Sequence, residues 1–136
     1  MDDMASTTEQ KKHVVIISVG SNISPIENLS RSQAILESEA QLIAVADVIE
    51  TTPVGYAQQP NFLNTAYLIK TDLDYDDLNR YLKSVEDRLG RERGPIKSGP
   101  RTIDLDIVIW DGEVLTNDYH QQEYVYIPVN QLLSDQ

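Results

Sequence analysis

Residues 62–89 read FLNTAYLIKTDLDYDDLNRYLKSVEDRL, and the spacing of their apolar side chains changes period midway. The first ten, residues 62–71, are rich in aromatic and β-branched side chains and read as a strand. Beyond them Leu78, Tyr81, Leu82, Val85 and Leu89 recur at steps of three and four, which predicts a helix with one buried face. The acidic residues 72–77 suit the positive end of that helix, and Gly90 is its natural stop. Residues 102–110, TIDLDIVIW, read as the next strand.

Towards the N-terminus, residues 13–19 (HVVIISV) form a β-branched apolar run, read as a buried strand broken by Gly20-Ser21-Asn22. Ser24-Pro25-Ile26-Glu27 reads as a helix start, with Ser24 as cap, Pro25 in the first turn and Glu27 closing a capping box. The helix is expected to reach Glu39, with Ile26, Leu29, Ile35 and Leu36 inward. Residues 42–50 read as a second strand, and the short linker to residue 62 implies antiparallel pairing. Residues 91–100 (RERGPIKSGP) hold two glycines and two prolines and read as irregular loop. A turn at Asp111-Gly112 follows the last long strand, and residues 124–128 read as one more short strand. The order β-α-β-β-α-β with antiparallel pairing predicts an α+β, ferredoxin-like fold. Residues 13–136 are expected to form a single domain behind a disordered tail, residues 1–12.

Composition narrows the function classes. A formal net charge of −11 argues against nucleic acid or an anionic membrane as partner. The absence of cysteine excludes disulfides and thiolate metal sites and suits a reducing compartment. With no apolar run near the ~20 residues of a membrane helix, a cytoplasmic location is the expectation. Against the acidic background, six of the eleven basic residues, Lys83, Arg88, Arg91, Arg93, Lys97 and Arg101, fall within 83–101. Such a segment points to an anionic ligand.

Asp104 and Asp106 flank Leu105 in a strand, so both carboxylates point to one face. Read alone, the pair fits either an ordinary polar strand face or a divalent cation, since Mg²⁺ favours one or two carboxylates completed by phosphate oxygens and water. The arginines beside it fit surface ion pairs or paired donors to phosphate. A glycine-rich cationic loop next to two carboxylates is the combination that suits phosphoryl-type transfer, where catalysis is mostly positioning and charge neutralisation. Phe62 and Asn64 share a strand face, and an aromatic ring beside an amide can stack on a flat heterocycle and bond its edge.

The runs Val19-Gly20-Ser21-Asn22, Glu50-Thr51-Thr52-Pro53-Val54-Gly55, Gln59-Pro60-Asn61-Phe62-Leu63-Asn64, Gly90-Arg91-x-Arg93 and Gly99-Pro100-Arg101-Thr102-Ile103-Asp104-Leu105-Asp106 resemble the 6-hydroxymethyl-7,8-dihydropterin pyrophosphokinase family. The resemblance implies transfer of the β,γ-diphosphate of ATP to the pterin hydroxymethyl oxygen in folate biosynthesis, with two Mg²⁺ ions and release of AMP. It implies Asp104 and Asp106 as metal ligands, and Arg91, Arg101 and Asp106 as catalytic residues. The pterin would be held by Thr51, Val54, Phe62, Asn64 and Tyr124, with Phe62 and Tyr124 as the stacking pair. The nucleotide would be held by Lys83, Arg91, Arg93, Arg101 and Ile107, and Glu86 matches the family's acidic residue before the arginine loop. The resemblance also implies a His-Pro or His-Tyr pair and then an arginine after the aspartates. Here that segment is short, and Gln122 or Glu123 stands at the arginine position. Ser98 stands where the family often has an aromatic residue. Weakened ATP binding is therefore expected, with Glu123 adding repulsion near the phosphates.

Overall fold

The computed structural model describes residues 12–91 and 100–135. Six strands and four helices follow in the order β1 (His13–Ser21), α1 (Pro25–Glu39), β2 (Gln41–Val45), β3 (Ile49–Thr51), β4 (Phe62–Thr71), α2 (Tyr75–Arg88), β5 (Asp104–Trp110), β6 (Glu113–Val114), α3 (Asp118–Gln121) and α4 (Glu123–Ser134). The strands form one antiparallel sheet ordered β2-β4-β1-β5-β6, with β3 continuing the pairing on β4. Each long helix, α1 and α2, links two strands that flank a third, which is the split β-α-β logic of the ferredoxin-like fold.

The two sheet faces are covered differently. Val15, Ile17, Val19, Tyr67, Ile69, Ile103 and Leu105 face α1 and α2, whose Leu29, Leu36, Leu78, Leu82 and Val85 close the larger core. Ile16, Ala66, Leu68 and Val108 face the other way, against Val125, Val129 and Leu132 of α4. The reading of residues 124–128 as a strand is therefore corrected: they begin a helix that covers the second face. Its buried positions 125, 128, 129 and 132 are at helical spacing, a pattern that a window ending at Pro128 truncates. Pro128 sits inside the helix at a loss of one backbone hydrogen bond.

Three other expectations change. Residues 42–50 are two strands, because residues 46–48 leave the ladder: Thr65 Oγ1 donates to the Ala46 carbonyl, and the Asp47 N–H donates to Gln131 Oε1. The Ser24–Glu27 capping box does not form. Ser24 takes a left-handed conformation with no side-chain cap, and Asn28 Nδ2 instead donates to the Ile23 carbonyl at 2.6 Å. Ile26, expected inward, is 78% exposed, and buried Asn28 and Ser32 occupy the inner face with Leu29 and Leu36. The second helix follows its reading closely, with Asp74 as cap accepting from the Asp77 N–H and Gly90 at φ +88 behind it. The expected tail and most of the loop 91–100 lie outside the described residues.

Glu39, at the end of α1, ties the two helices together. It accepts two 2.7 Å bonds from the Arg88 guanidinium and one of 2.8 Å from the Tyr81 hydroxyl. These bonds lower its pKa to about 2, so the stability they add is present above the ordinary carboxylate range and is lost as pH falls through 4 towards 2. Glu39→Gln should lower the melting temperature at pH 7 and leave it unchanged near pH 2, as thermal melts at the two pH values will read.

Candidate active site

The register of β1 with its two neighbours sets the site. Asn64, Gly20 and Asp104 lie in one row across β4, β1 and β5, and Ala66, Ser18 and Asp106 in a second. The next row, Leu68, Ile16 and Ile109, is apolar and lies under α4. Along one sheet face the sequence thus changes from large apolar to small and polar, and the helix cover stops at that change. Ser18 and Gly20 are too small to fill the space that α4 leaves uncovered. The result is a cleft of about 540 Å³ above them.

At one end of the cleft stand Phe62 and Asn64, with Thr51 at the end of β3 and Val54 on the loop that follows; Tyr124 and Gln122, at the start of α4, also line the cleft. Asn64 Nδ2 donates to Thr51 Oγ1 at 2.6 Å. A Cβ on Gly20 would stand 2.7 Å from Asn64 Oδ1, so this position must be glycine for the amide to lie where it does. The Arg101 guanidinium lies over the Phe62 ring, 5.6 Å from its centroid. In the middle stand Asp104 and Asp106. At the other end the cleft is lined by Ile107, Tyr75 and Asn79. Tyr75 packs edge-on against Trp110 with ring centroids 5.9 Å apart.

Beneath the carboxylates lies a bed of charges centred on Glu86, which has no exposed surface. Glu86 Oε2 accepts from the Leu105 N–H at 2.7 Å and from Lys83 at 3.3 Å, and Oε1 accepts from Arg91 Nη1 at 2.9 Å. Arg91 also donates to Asp104 Oδ1 at 2.9 Å, and Lys83 to Asp106 Oδ1 at 3.3 Å. Burial lowers the pKa of both cations, but the carboxylates around them outweigh it and raise the net value. Asp106 keeps 56% of its side chain open to the cleft. Even so, the crowding walls and the neighbouring Asp104 push its pKa up to about 6.

The structure therefore brings together Thr51, Val54, Phe62, Asn64, Arg101, Asp104, Asp106, Ile107 and Tyr124 around one cleft, all expected from sequence. Lys83 and Arg91 reach it only through the aspartates, and Arg91, expected on a free loop, is pinned with 15% of its side chain exposed. Arg93, Lys97 and Ser98 lie outside the described residues. Of the two candidates for the arginine position, Gln122 lines the cleft and Glu123 does not. Tyr75, Asn79 and Ser18 went unread as site residues. Ser18 carried a signal, a polar residue inside an otherwise apolar run, whereas the first turn of α2 carried none beyond its acidity. Among the described residues no three His, Cys, Asp or Glu side chains converge to cage a metal unaided. Two carboxylates with further oxygens taken from a phosphate suit Mg²⁺ in its ordinary manner, so the donor set fits that ion.

In the absence of metal, the raised pKa of Asp106 makes its charge a liability. The folded state binds its proton more tightly than the unfolded chain, so stability falls as pH rises from about 4 through 6. Asp106→Asn should raise the stability of the metal-free protein at pH 7 by about 1 kcal/mol, a value kept small because solvent reaches the carboxylate. The gain should vanish near pH 4, which chemical denaturation in chelator at both pH values will test.

Comparison with known proteins adds to this geometry. The family model described as 7,8-dihydro-6-hydroxymethylpterin-pyrophosphokinase matches residues 16–134. A Bacillus subtilis protein named 2-amino-4-hydroxy-6-hydroxymethyldihydropteridine pyrophosphokinase is 39% identical over 104 residues, covering 74% of this chain and 62% of its own length. A Haemophilus influenzae protein of the same name is 32% identical over 130 residues, covering 88% of this chain and 81% of its own length. The folic acid synthesis protein FOL1 of Dictyostelium discoideum is 27% identical over 129 residues, covering 88% of this chain and only 20% of its own length. From its matched span and its shared motifs, the chain belongs to the 7,8-dihydro-6-hydroxymethylpterin-pyrophosphokinase family.

Proposed function

We propose that this chain transfers the β,γ-diphosphate of ATP to the hydroxymethyl oxygen of 6-hydroxymethyl-7,8-dihydropterin, a step of folate biosynthesis, and releases AMP. The observation that supports the reading most directly is the order of groups along the cleft. An aromatic–amide pair, Phe62 and Asn64, stands at one end, a second, Tyr75 and Asn79, at the other, and two carboxylates lie between them. A reaction joining a heterocyclic alcohol to a nucleoside triphosphate needs two heterocycle sites with a phosphate site in the middle.

In this reading the pterin lies against Phe62, with Tyr124 on its other face and the Asn64 amide on its edge; Thr51 holds that amide, and Val54 covers the ring. The adenine lies towards Ile107, Tyr75 and Asn79. Arg101 leaves the Phe62 face to meet the transferring phosphates, and Arg91 adds positive charge on the same side; the resemblance counts Arg93 with them. Asp104 and Asp106 would hold Mg²⁺, two ions with ATP, which when bound supply charge neutralisation at the phosphates. In the transfer, the hydroxymethyl oxygen bonds to the β-phosphorus and gives up its proton to water, while the bond from that phosphorus to the α,β-bridging oxygen breaks and AMP leaves with the electron pair. The residues act by alignment and by fixed positive charge, which dominate this class of reaction.

Gln122 at the cleft wall offers a neutral amide where the resemblance implies a guanidinium. Charge-assisted hydrogen bonds contribute roughly 1.5–3 kcal/mol, so ATP should bind weakly and Gln122→Arg should tighten it about tenfold or more. The decisive experiment is a coupled AMP-release assay with pterin, ATP and Mg²⁺, alongside calorimetry of each substrate. AMP release is expected, together with a large loss of pterin affinity in Phe62→Ala and loss of Mg²⁺-dependent ATP binding in Asp104→Asn. Pterin binding without AMP release would favour a binding paralogue that lacks turnover. Pterin affinity unchanged by Phe62→Ala would remove that end of the cleft from the reading.

A further inference from the structure

Asn22 lies at the end of β1, outside the cleft, and is 4% exposed. Every polar atom of its side chain is used. Nδ2 donates to Gln59 Oε1 at 2.9 Å and to the Pro60 carbonyl at 3.0 Å. Oδ1 accepts from the Arg101 N–H at 2.8 Å, and the Asn22 N–H returns a bond of 3.1 Å to the Arg101 carbonyl. The orientation of the amide is fixed by its partners, because a flip would set its NH₂ against the Arg101 N–H and its oxygen against a carbonyl. Gln59 is fixed in turn, its Nε2 donating to the Tyr56 carbonyl at 2.6 Å.

Asn22 therefore joins two segments that the sequence separates by some forty residues. One is the loop ending two residues before Phe62. The other carries Arg101, whose guanidinium reaches the Phe62 ring. Neither segment is a regular element at that point: Pro60 precedes β4 and Arg101 precedes β5. Ser21, the neighbouring residue, adds a bond from its hydroxyl to the Thr102 carbonyl at 2.6 Å and pairs with Leu63 across the β1–β4 ladder, but it reaches neither Gln59 nor Pro60. The Asn22 amide adds to the β1 ladders a side-chain link from the Gln59–Pro60 turn to the Arg101 backbone.

We infer that Asn22 is a positioning residue, which sets Arg101 in register with Phe62 so that the phosphate end and the pterin end of the cleft are held as one unit. The inference rests on the proposed roles of Arg101 and Phe62. A buried amide with three side-chain bonds cannot be replaced by solvent without moving at least one segment. Truncation should thus act through Arg101 and not beside it.

The test uses the full chain as Asn22→Ala, Asn22→Asp, Arg101→Ala and the Asn22→Ala/Arg101→Ala double variant. Hydrogen exchange at the Arg101 amide is read without ligands, and kcat and both KM values are read by AMP release. Asn22→Ala should speed exchange at Arg101 by about tenfold or more and lower kcat by about tenfold. Asn22→Asp keeps the acceptor for Arg101 but loses both donors, so it should leave Arg101 protected and raise chiefly the KM for pterin. In kcat the double variant should match Arg101→Ala within about twofold, since residues that act through one another are not additive. Losses that multiply in the double variant would overturn the inference, as would a lowered melting temperature with kcat unchanged. Unchanged exchange at Arg101 in Asn22→Ala would also overturn it. If the parent releases no AMP, the proposed function fails on that arm, while exchange still decides whether Asn22 holds Arg101.

Discussion

The carboxylate of Glu86 is the constraint around which the site is assembled. It is wholly buried between α2 and β5, and an isolated charge in that position would be costly. Its cost is offset by a backbone N–H on β5 and by two cations from either side of its own helix turn. Those cations do not end there. Each continues to an aspartate on the strand, so one hidden negative charge fixes the height of two positive ones, which in turn fix two carboxylates at the cleft floor. The lattice of alternating charge keeps Asp104 and Asp106 together against their own repulsion.

The second organising feature is the unequal cover of the sheet. α1 and α2 seal one face along its whole length, while α4 seals only part of the other. β1 therefore has a continuous apolar side and a side that runs from Ile16 through Ser18 to Gly20. The strand is buried in both senses, but for different reasons: packing at Ile16, and the walls of a cleft at Gly20.

Much of this was legible in the sequence, and the failures have physical causes. The period change across residues 62–89 located β4 and α2 because β4 is a continuous run buried on both faces, α2 is amphipathic, and neither is interrupted. Asp104 and Asp106 were legible because strand alternation alone puts them on one face. The C-terminal helix was misread since Val, Tyr and Ile favour strands locally, and only the tertiary burial of positions spaced along 125–132 selects the helix. The cap at Ser24 was misread because Ser24 takes a left-handed conformation, and Asn28, one turn on, ties the entering chain instead by donating to the Ile23 carbonyl. The far end of the cleft, Tyr75 and Asn79, depends on how α2 lies beside β5, which no local pattern encodes.

The floor of the cleft carries a consequence for how such a protein tolerates change. Ser18 is small not because packing demands it but because open space above it is required, whereas Gly20 is held to glycine by the Asn64 amide as well. At Ser18, larger apolar side chains would find room and extend the α4 core along the strand. Such changes would pass any screen for solubility or heat resistance, and they would erase the cleft as they did so. Selection on folding alone would drift towards a sealed sheet, so the hollow persists only where the work done in it is itself under selection.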